Sequence, residues 1–140
     1  MTSKNQGITS FVVSTGAKSS FAPRAIGQHQ ALATDGTRLF DVTIEAGVKT
    51  LTAYDLATGS SRWSQSGAVT APLSVNGMVI VGENYGGLAV YDAANGALLK
   101  RLSGTARGAA PIVVGGRVYA GYSASSVPPG TNPPVTALGV

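Results

Sequence analysis

LTAYDLATGSSRW, residues 51–63, sets Ala53, Asp55, Thr58, Gly59 and Trp63 at fixed intervals between two short runs suited to strands. A hairpin met once says little about architecture, whereas the same hairpin recurring at a fixed period dictates it. The stretch belongs to a longer unit, HQALATDGTRLFDVTIEAGVKTLTAYDLATGSSRW (29–63), whose grammar returns in APLSVNGMVIVGENYGGLAVYDAANGALLKRL (71–102). In each, an apolar run ends in a tight turn (Asp35-Gly36, Asn76-Gly77) of the kind that needs positive φ. A second strand follows, alternating clearly at Met78-Val79-Ile80-Val81, and a looser glycine-containing loop leads to a third strand ending in Tyr54-Asp55 or Tyr91-Asp92. A turn holding Thr58-Gly59 or Asn95-Gly96 introduces a fourth strand.

A third copy starts at Ala110-Pro111 with Gly115-Gly116 at its first turn. It is interrupted by SASSVPPGTNPP, residues 123–134, which cannot be a central strand because proline has no donor for the ladder. VTAL (135–138) resembles the third strand again. Upstream, FVVSTGAKSSF (11–21) places Thr15-Gly16 where Thr58-Gly59 stands later, but without the aspartate or the tryptophan.

Turn glycines recur 41 residues apart from Gly36 to Gly77 and 39 apart from Gly77 to Gly116. Four short strands per unit of roughly 40 residues are the pattern of β-propeller blades. The expected fold is all-β, with blades of four antiparallel strands. Its expected organisation is an arm or remnant of a preceding blade over 1–28, blades over 29–66 and 67–104, and an incomplete blade over 105–140 carrying the Pro-rich loop 123–134. At this period 140 residues make about three and a half units, whereas seven or eight blades need roughly 280–320 residues. The expectation is an arc, an incomplete ring whose open blade edges invite self-association.

Composition agrees. Nineteen glycines and seven prolines spread along the chain suit short strands and tight turns. With 44% hydrophobic and 11% charged residues, the chain can bury a core, and no apolar run approaches the ~18 residues of a membrane span. The formal charge of +4 comes from scattered Lys and Arg, apart from Lys100-Arg101, so it reads as dispersed solubilising charge and not as a nucleic-acid surface. Zero cysteines exclude disulfides, thiolate nucleophiles and cysteine-ligated metals.

The spacing AxDxxTGxxxW at Ala53, Asp55, Thr58, Gly59 and Trp63 resembles the tryptophan-docking repeat of the pyrroloquinoline-quinone-type propellers, a family of quinoprotein alcohol dehydrogenases and non-catalytic relatives. The likeness spans roughly residues 29–138. It implies that Trp63 packs between blades, that Ala53 is small to admit such a plate, that Asp55 and Thr58 cap the turn, and that Gly59 supplies its positive φ. In the second copy Asp92 and Gly96 keep the turn while Lys100 replaces the tryptophan. In the third, Ala137 holds the small position and Gly139 stands in place of the aspartate.

No catalytic constellation is visible. Glu83-Asn84, the one adjacent carboxylate–amide pair, reads as a polar turn between strands, although the dehydrogenase likeness would assign such a pair to calcium and quinone. Asp41 and Glu45 have no metal-ligand spacing, and His29, the only histidine, has no nameable partner. GENYGG (82–87) lacks the lysine and following helix of a phosphate loop, and no GxSxG elbow occurs. Expected catalytic, cofactor and metal residues are none. The expected function is a non-catalytic repeat module that scaffolds or binds a protein or peptide, with the Pro-rich loop as candidate contact; the alternative is a fragment of a quinone-dependent dehydrogenase. The resemblance implies the periplasm or cell surface, although MTSKNQGITS carries no export signal.

Overall fold

The computed structural model describes residues 2–3, 7–22, 28–83, 87–103, 110–120 and 136–139, which form four antiparallel sheets and no helix. Sheet one holds β1 (Thr2–Ser3), β2 (Gly7–Phe11) and β3 (Lys18–Ala22). Sheet two holds β4 (Gln28–Thr34), β5 (Arg38–Glu45), β6 (Val48–Asp55) and β7 (Ser61–Ser66). Sheet three holds β8 (Leu73–Val75), β9 (Met78–Gly82), β10 (Gly87–Asp92) and β11 (Leu98–Ser103). Sheet four holds β12 (Ile112–Val114), β13 (Arg117–Ala120) and β14 (Thr136–Gly139). Each sheet is a meander in chain order, with short hairpin links except between β13 and β14, which are separated by residues 121–135. The Pro-rich loop 123–134 and Asn84 lie outside the described residues.

Period-two alternation divides each strand between two neighbours. From sheet two, Phe40, Val42, Leu51 and Ala53 face sheet three, where Val79, Val81, Ala89 and Tyr91 meet them. The opposite face of sheet three presents Leu73, Val75, Ile80, Leu88 and Val90 to Val118 and Ala120 of sheet four. Leu32, Leu39 and Tyr54, on the other face of sheet two, pack on Ile8 and Phe21 of sheet one. Both faces of sheets two and three are thus buried. Each fully covered Val, Leu, Ile or Phe contributes roughly 1.5–3 kcal/mol, so the inter-sheet layers carry the fold.

Two turns differ from the sequence reading. Between β5 and β6 a looser loop is expected, but Glu45 pairs with Val48 across a two-residue turn in which Ala46 (φ 48°) and Gly47 (φ 79°) are both left-handed. In the first turn of each unit, glycine counting sets Gly36 opposite Gly77. The hydrogen bonds instead make Thr37 the counterpart of Gly77: Leu56 donates to the Thr37 carbonyl as Ala93 donates to that of Gly77. Gly36 (φ 89°) then corresponds to Asn76 (φ 47°), since both fill the first turn position, which demands positive φ.

Candidate functional site

The turn from the third strand to the fourth is built around Asp55. Its Oδ1 accepts from the N–H groups of Ala57 (3.0 Å) and Thr58 (2.9 Å) and from the Thr58 hydroxyl (3.0 Å). Its Oδ2 takes a 2.5 Å bond from Nη2 of Arg62. That guanidinium, with the Thr58 donors, holds the Asp55 carboxyl down at about 2. Gly59, at φ 71°, closes the turn by donating to the Asp55 carbonyl at 2.8 Å. Sheet three repeats the design: Asp92 Oδ1 accepts from Ala94 (2.7 Å) and Asn95 (3.1 Å), and Gly96 donates to the Asp92 carbonyl at 2.9 Å. In sheet one the backbone bond survives without the carboxylate, from Gly16 to the carbonyl of Val12 at 2.7 Å.

These turns receive the preceding sheet. Trp63, opposite Ala53 in the β6–β7 ladder, reaches across so that its indole Nε1 donates to the Ala93 carbonyl at 3.1 Å. The ring lies over Gly96, where a Cβ would stand 2.6 Å from Trp63 Cδ2. It is flanked by Phe40 of its own sheet (centroids 5.9 Å apart) and Tyr91 of the next (6.5 Å). Gln65 adds a second tie, donating from Nε2 to the Gly96 carbonyl at 2.9 Å. Gly59 is approached in the same manner by the backbone carbonyl of Phe21 in sheet one. Glycine is required at both turns because backbone conformation and close approach coincide there. Ala53, Asp55, Thr58, Gly59 and Trp63 therefore lie in one hairpin of sheet two, while Asp92 and Gly96 sit in the turn of sheet three that Trp63 covers. The Gln65 tie was missed from sequence, since a single glutamine on a polar strand carries no distinguishing signal.

The remaining polar groups are also engaged. Glu83 accepts from Nε of Arg101 at 3.2 and 3.0 Å, a pairing across sheet three that raises the Arg101 pKa. Asp35 accepts from the N–H groups of Thr37 and Arg38 and from the Arg38 guanidinium (3.0 Å). Burial pushes its carboxyl up, but those donors outweigh it and leave the pKa lowered. Asp41 is fully buried within β5, on the face of sheet two that carries Thr43, Thr52 and Tyr54. An alternating position in FDVT pointed to that placement, yet the sequence reading left Asp41 only as a residue without metal-ligand spacing. Burial and then the Asp41 charge push the Tyr54 hydroxyl up; burial and then Glu83 do the same to Tyr91. His29 and Glu45 lie within β4 and at the end of β5. A recess of about 190 Å³ is lined by Thr37, Arg38, Asp55, Arg62 and Ala94, but each arginine there already faces a carboxylate.

The sequence profile of the outer membrane protein assembly factor BamB matches residues 4–131. The chain belongs to this family. Among solved structures, a europium-containing methanol dehydrogenase superposes with a TM-score of 0.57 at 18% identity, over 69% of this chain and 21% of that one. BamB from Moraxella catarrhalis superposes with a TM-score of 0.52 at 25% identity, over 68% of this chain and 30% of that one. The chain spans less than a third of the length of either. No curated protein matches it. The fold is therefore a partial propeller of pyrroloquinoline-quinone-like repeats, all-β and unclosed.

The Glu83 carboxylate is committed to Arg101, and no three His, Cys, Asp or Glu side chains among the described residues converge on a point. No helix among those residues is long and apolar enough to cross a membrane.

Proposed function

We propose that this chain is a non-catalytic propeller module, part of a longer propeller protein, that scaffolds or binds a protein or peptide partner in the periplasm or at the cell surface. One observation carries the reading. Among the described residues, the carboxylates of Asp35, Asp55 and Glu83 each face an arginine within their own sheet, and the shifted groups move away from neutral pH: Asp35 and Asp55 downward, Tyr54, Tyr91 and Arg101 upward. A general acid or base works best with a pKa near the operating pH, so these environments suit fixed donors and acceptors holding turns and junctions. The family description, an outer membrane protein assembly factor, favours a protein as the partner. The likeness to methanol dehydrogenase is one of fold, and fold does not transmit chemistry.

The test is to add pyrroloquinoline quinone with calcium to the chain, and to any longer protein containing it, following absorbance and alcohol-dependent dye reduction. The expected result is no saturable spectral change and no turnover. Saturable binding with turnover would replace this reading with that of a dehydrogenase fragment.

A further inference from the structure

The recess of about 190 Å³ lies where three hairpins of sheets two and three meet. The β4–β5 hairpin supplies Thr37 and Arg38, the β6–β7 hairpin supplies Asp55 and Arg62, and the β10–β11 turn supplies Ala94. Sheets two and three each have a neighbour on both faces within the chain, so the recess is no face left open at the first or the last sheet. Internal repetition then shows what the turns themselves require. Register pairs Met78 with Asp92 as it pairs Arg38 with Asp55. Leu99 stands in the bulge of β11 where Arg62 stands in that of β7. Sheet three closes the same carboxylate-capped turn with no arginine at either place: Asp92 accepts from Ala94 and Asn95 as Asp55 accepts from Ala57 and Thr58. The turn can therefore be made without the two arginines that sheet two places at the recess.

We propose that this recess receives a carboxylate side chain from an acidic segment of a protein partner, held between Arg38 and Arg62. The proposal rests on the reading of the chain as a module that works through protein contacts, and it names the surface and the chemistry of the partner. Among the described residues, the Arg38 side chain donates only from Nε, to Asp35, and the Arg62 side chain only from Nη2, to Asp55. Each salt bridge aims its guanidinium and leaves further N–H donors of the planar fork for a second acceptor. The two side chains remain 27% and 59% exposed, so a ligand can reach them. Asp35 and Asp55 balance the local charge, and selection therefore falls to the directional fork, which matches a planar carboxylate. The formal +4 of the whole chain favours the approach of an acidic segment. At about 190 Å³ the recess is smaller than the roughly 300–1,000 Å³ of a small-molecule pocket, a size suited to one side chain with Ala94 as its apolar wall.

The test is a nuclear magnetic resonance titration of the full chain with a capped peptide alternating glutamate and glycine, set against its glutamine counterpart. The expected result is saturable shifts of the Arg38 and Arg62 Nε–H signals and of the Thr37 and Ala94 amides, with the glutamate peptide only. Arg38→Met and Arg62→Leu give sheet two the residues that sheet three carries, and each should weaken binding about tenfold by removing charge-assisted hydrogen bonds. Lys49→Met removes the same charge at the other end of sheet two and should leave the affinity unchanged. Unchanged far-ultraviolet circular dichroism confirms that the variants fold, and the shift map of the unaltered chain decides the matter by itself if one does not. No shift at the recess, equal binding of the glutamine peptide, an equal loss in Lys49→Met, or an affinity indifferent to both arginine substitutions would each overturn the proposal. Tighter binding of a thymidine oligonucleotide at the same signals would overturn it too, since the ligand would then be a phosphate backbone. None of those results bears on the quinone assay, and turnover in that assay would break the functional reading while leaving a carboxylate-binding recess intact.

Discussion

The junction between sheets two and three and the junction between sheets three and four are built on the same plan, yet they differ at one position. Trp63 and Lys100 occupy equivalent places, opposite Ala53 and Val90 in their ladders. At the first junction the indole spans the gap, stacks on Gly96 and satisfies the Ala93 carbonyl, over a layer that includes Phe40, Val42, Leu51, Val79, Val81 and Tyr91. At the second, Lys100 stays exposed, and among the described residues the buried layer holds Ile80, Leu88, Val90, Val118 and Ala120. Repetition of backbone geometry therefore does not repeat the side-chain contacts between sheets. One aromatic side chain distinguishes the two junctions.

The contrast is broken most directly by removing the plate. Trp63→Ala should cost about 3 kcal/mol, the low end for a large aromatic because the ring is only partly buried. Lys100→Ala, at the equivalent exposed position, should stay within about 0.5 kcal/mol. Urea unfolding followed by circular dichroism measures both, and equal losses would mean that Trp63 ties nothing. Next in size, Gly96→Ala should cost roughly 2–4 kcal/mol and Gly77→Ala about 1 kcal/mol. The two share nearly the same φ, 74° and 73°, but only Gly96 lies under the indole. Their difference isolates the docking contact from backbone strain. Gln65→Ala should lose about 1 kcal/mol with its bond to Gly96. A double-mutant cycle with Trp63→Ala should show coupling, because both side chains grip the same turn.

A subtler probe is acid. The folded pKa of Asp55, about 2, lies below the ordinary carboxylate value, so the unfolded chain binds more protons between about pH 4 and 2. Stability from this group is present in full above that window and is lost as pH falls through it. Asp35 is shifted in the same direction. Asp55→Asn should flatten the acid limb of the stability curve, whereas a limb unchanged by the substitution would mean that Arg62 and Thr58 do not grip the carboxylate in solution.

Much of this was readable from residues alone where local chemistry and period agree. Asn76-Gly77, Thr58-Gly59 and Asn95-Gly96 announce turns because positive φ is costly for most residues, and hairpins between them follow from alternation. The Trp63 position was readable because a tryptophan at that spacing from Asp55 and Gly59 matches a known repeat. Its partners were not, since the Ala93 carbonyl and the Gly96 Cα have no side chain to betray them. The Glu83–Arg101 pair was hidden for a related reason: its members stand two strands apart, and only the register of sheet three brings them together. The offset between Gly36 and Gly77 shows the limit of counting glycines, because either position of a two-residue turn can take one.

Trp63 is expected to make sheets two and three one cooperative unit, with sheet four held more weakly. Amide hydrogen exchange on the native chain tests it most directly. Val42, Leu51, Val79, Val81 and Ala89 should exchange only through a common, global opening, Val118 and Ala120 should exchange faster, and Trp63→Ala should lower protection in sheets two and three together. Protection of sheet four equal to that of sheet three in the native chain, or a loss in Trp63→Ala confined to sheet two, would contradict it.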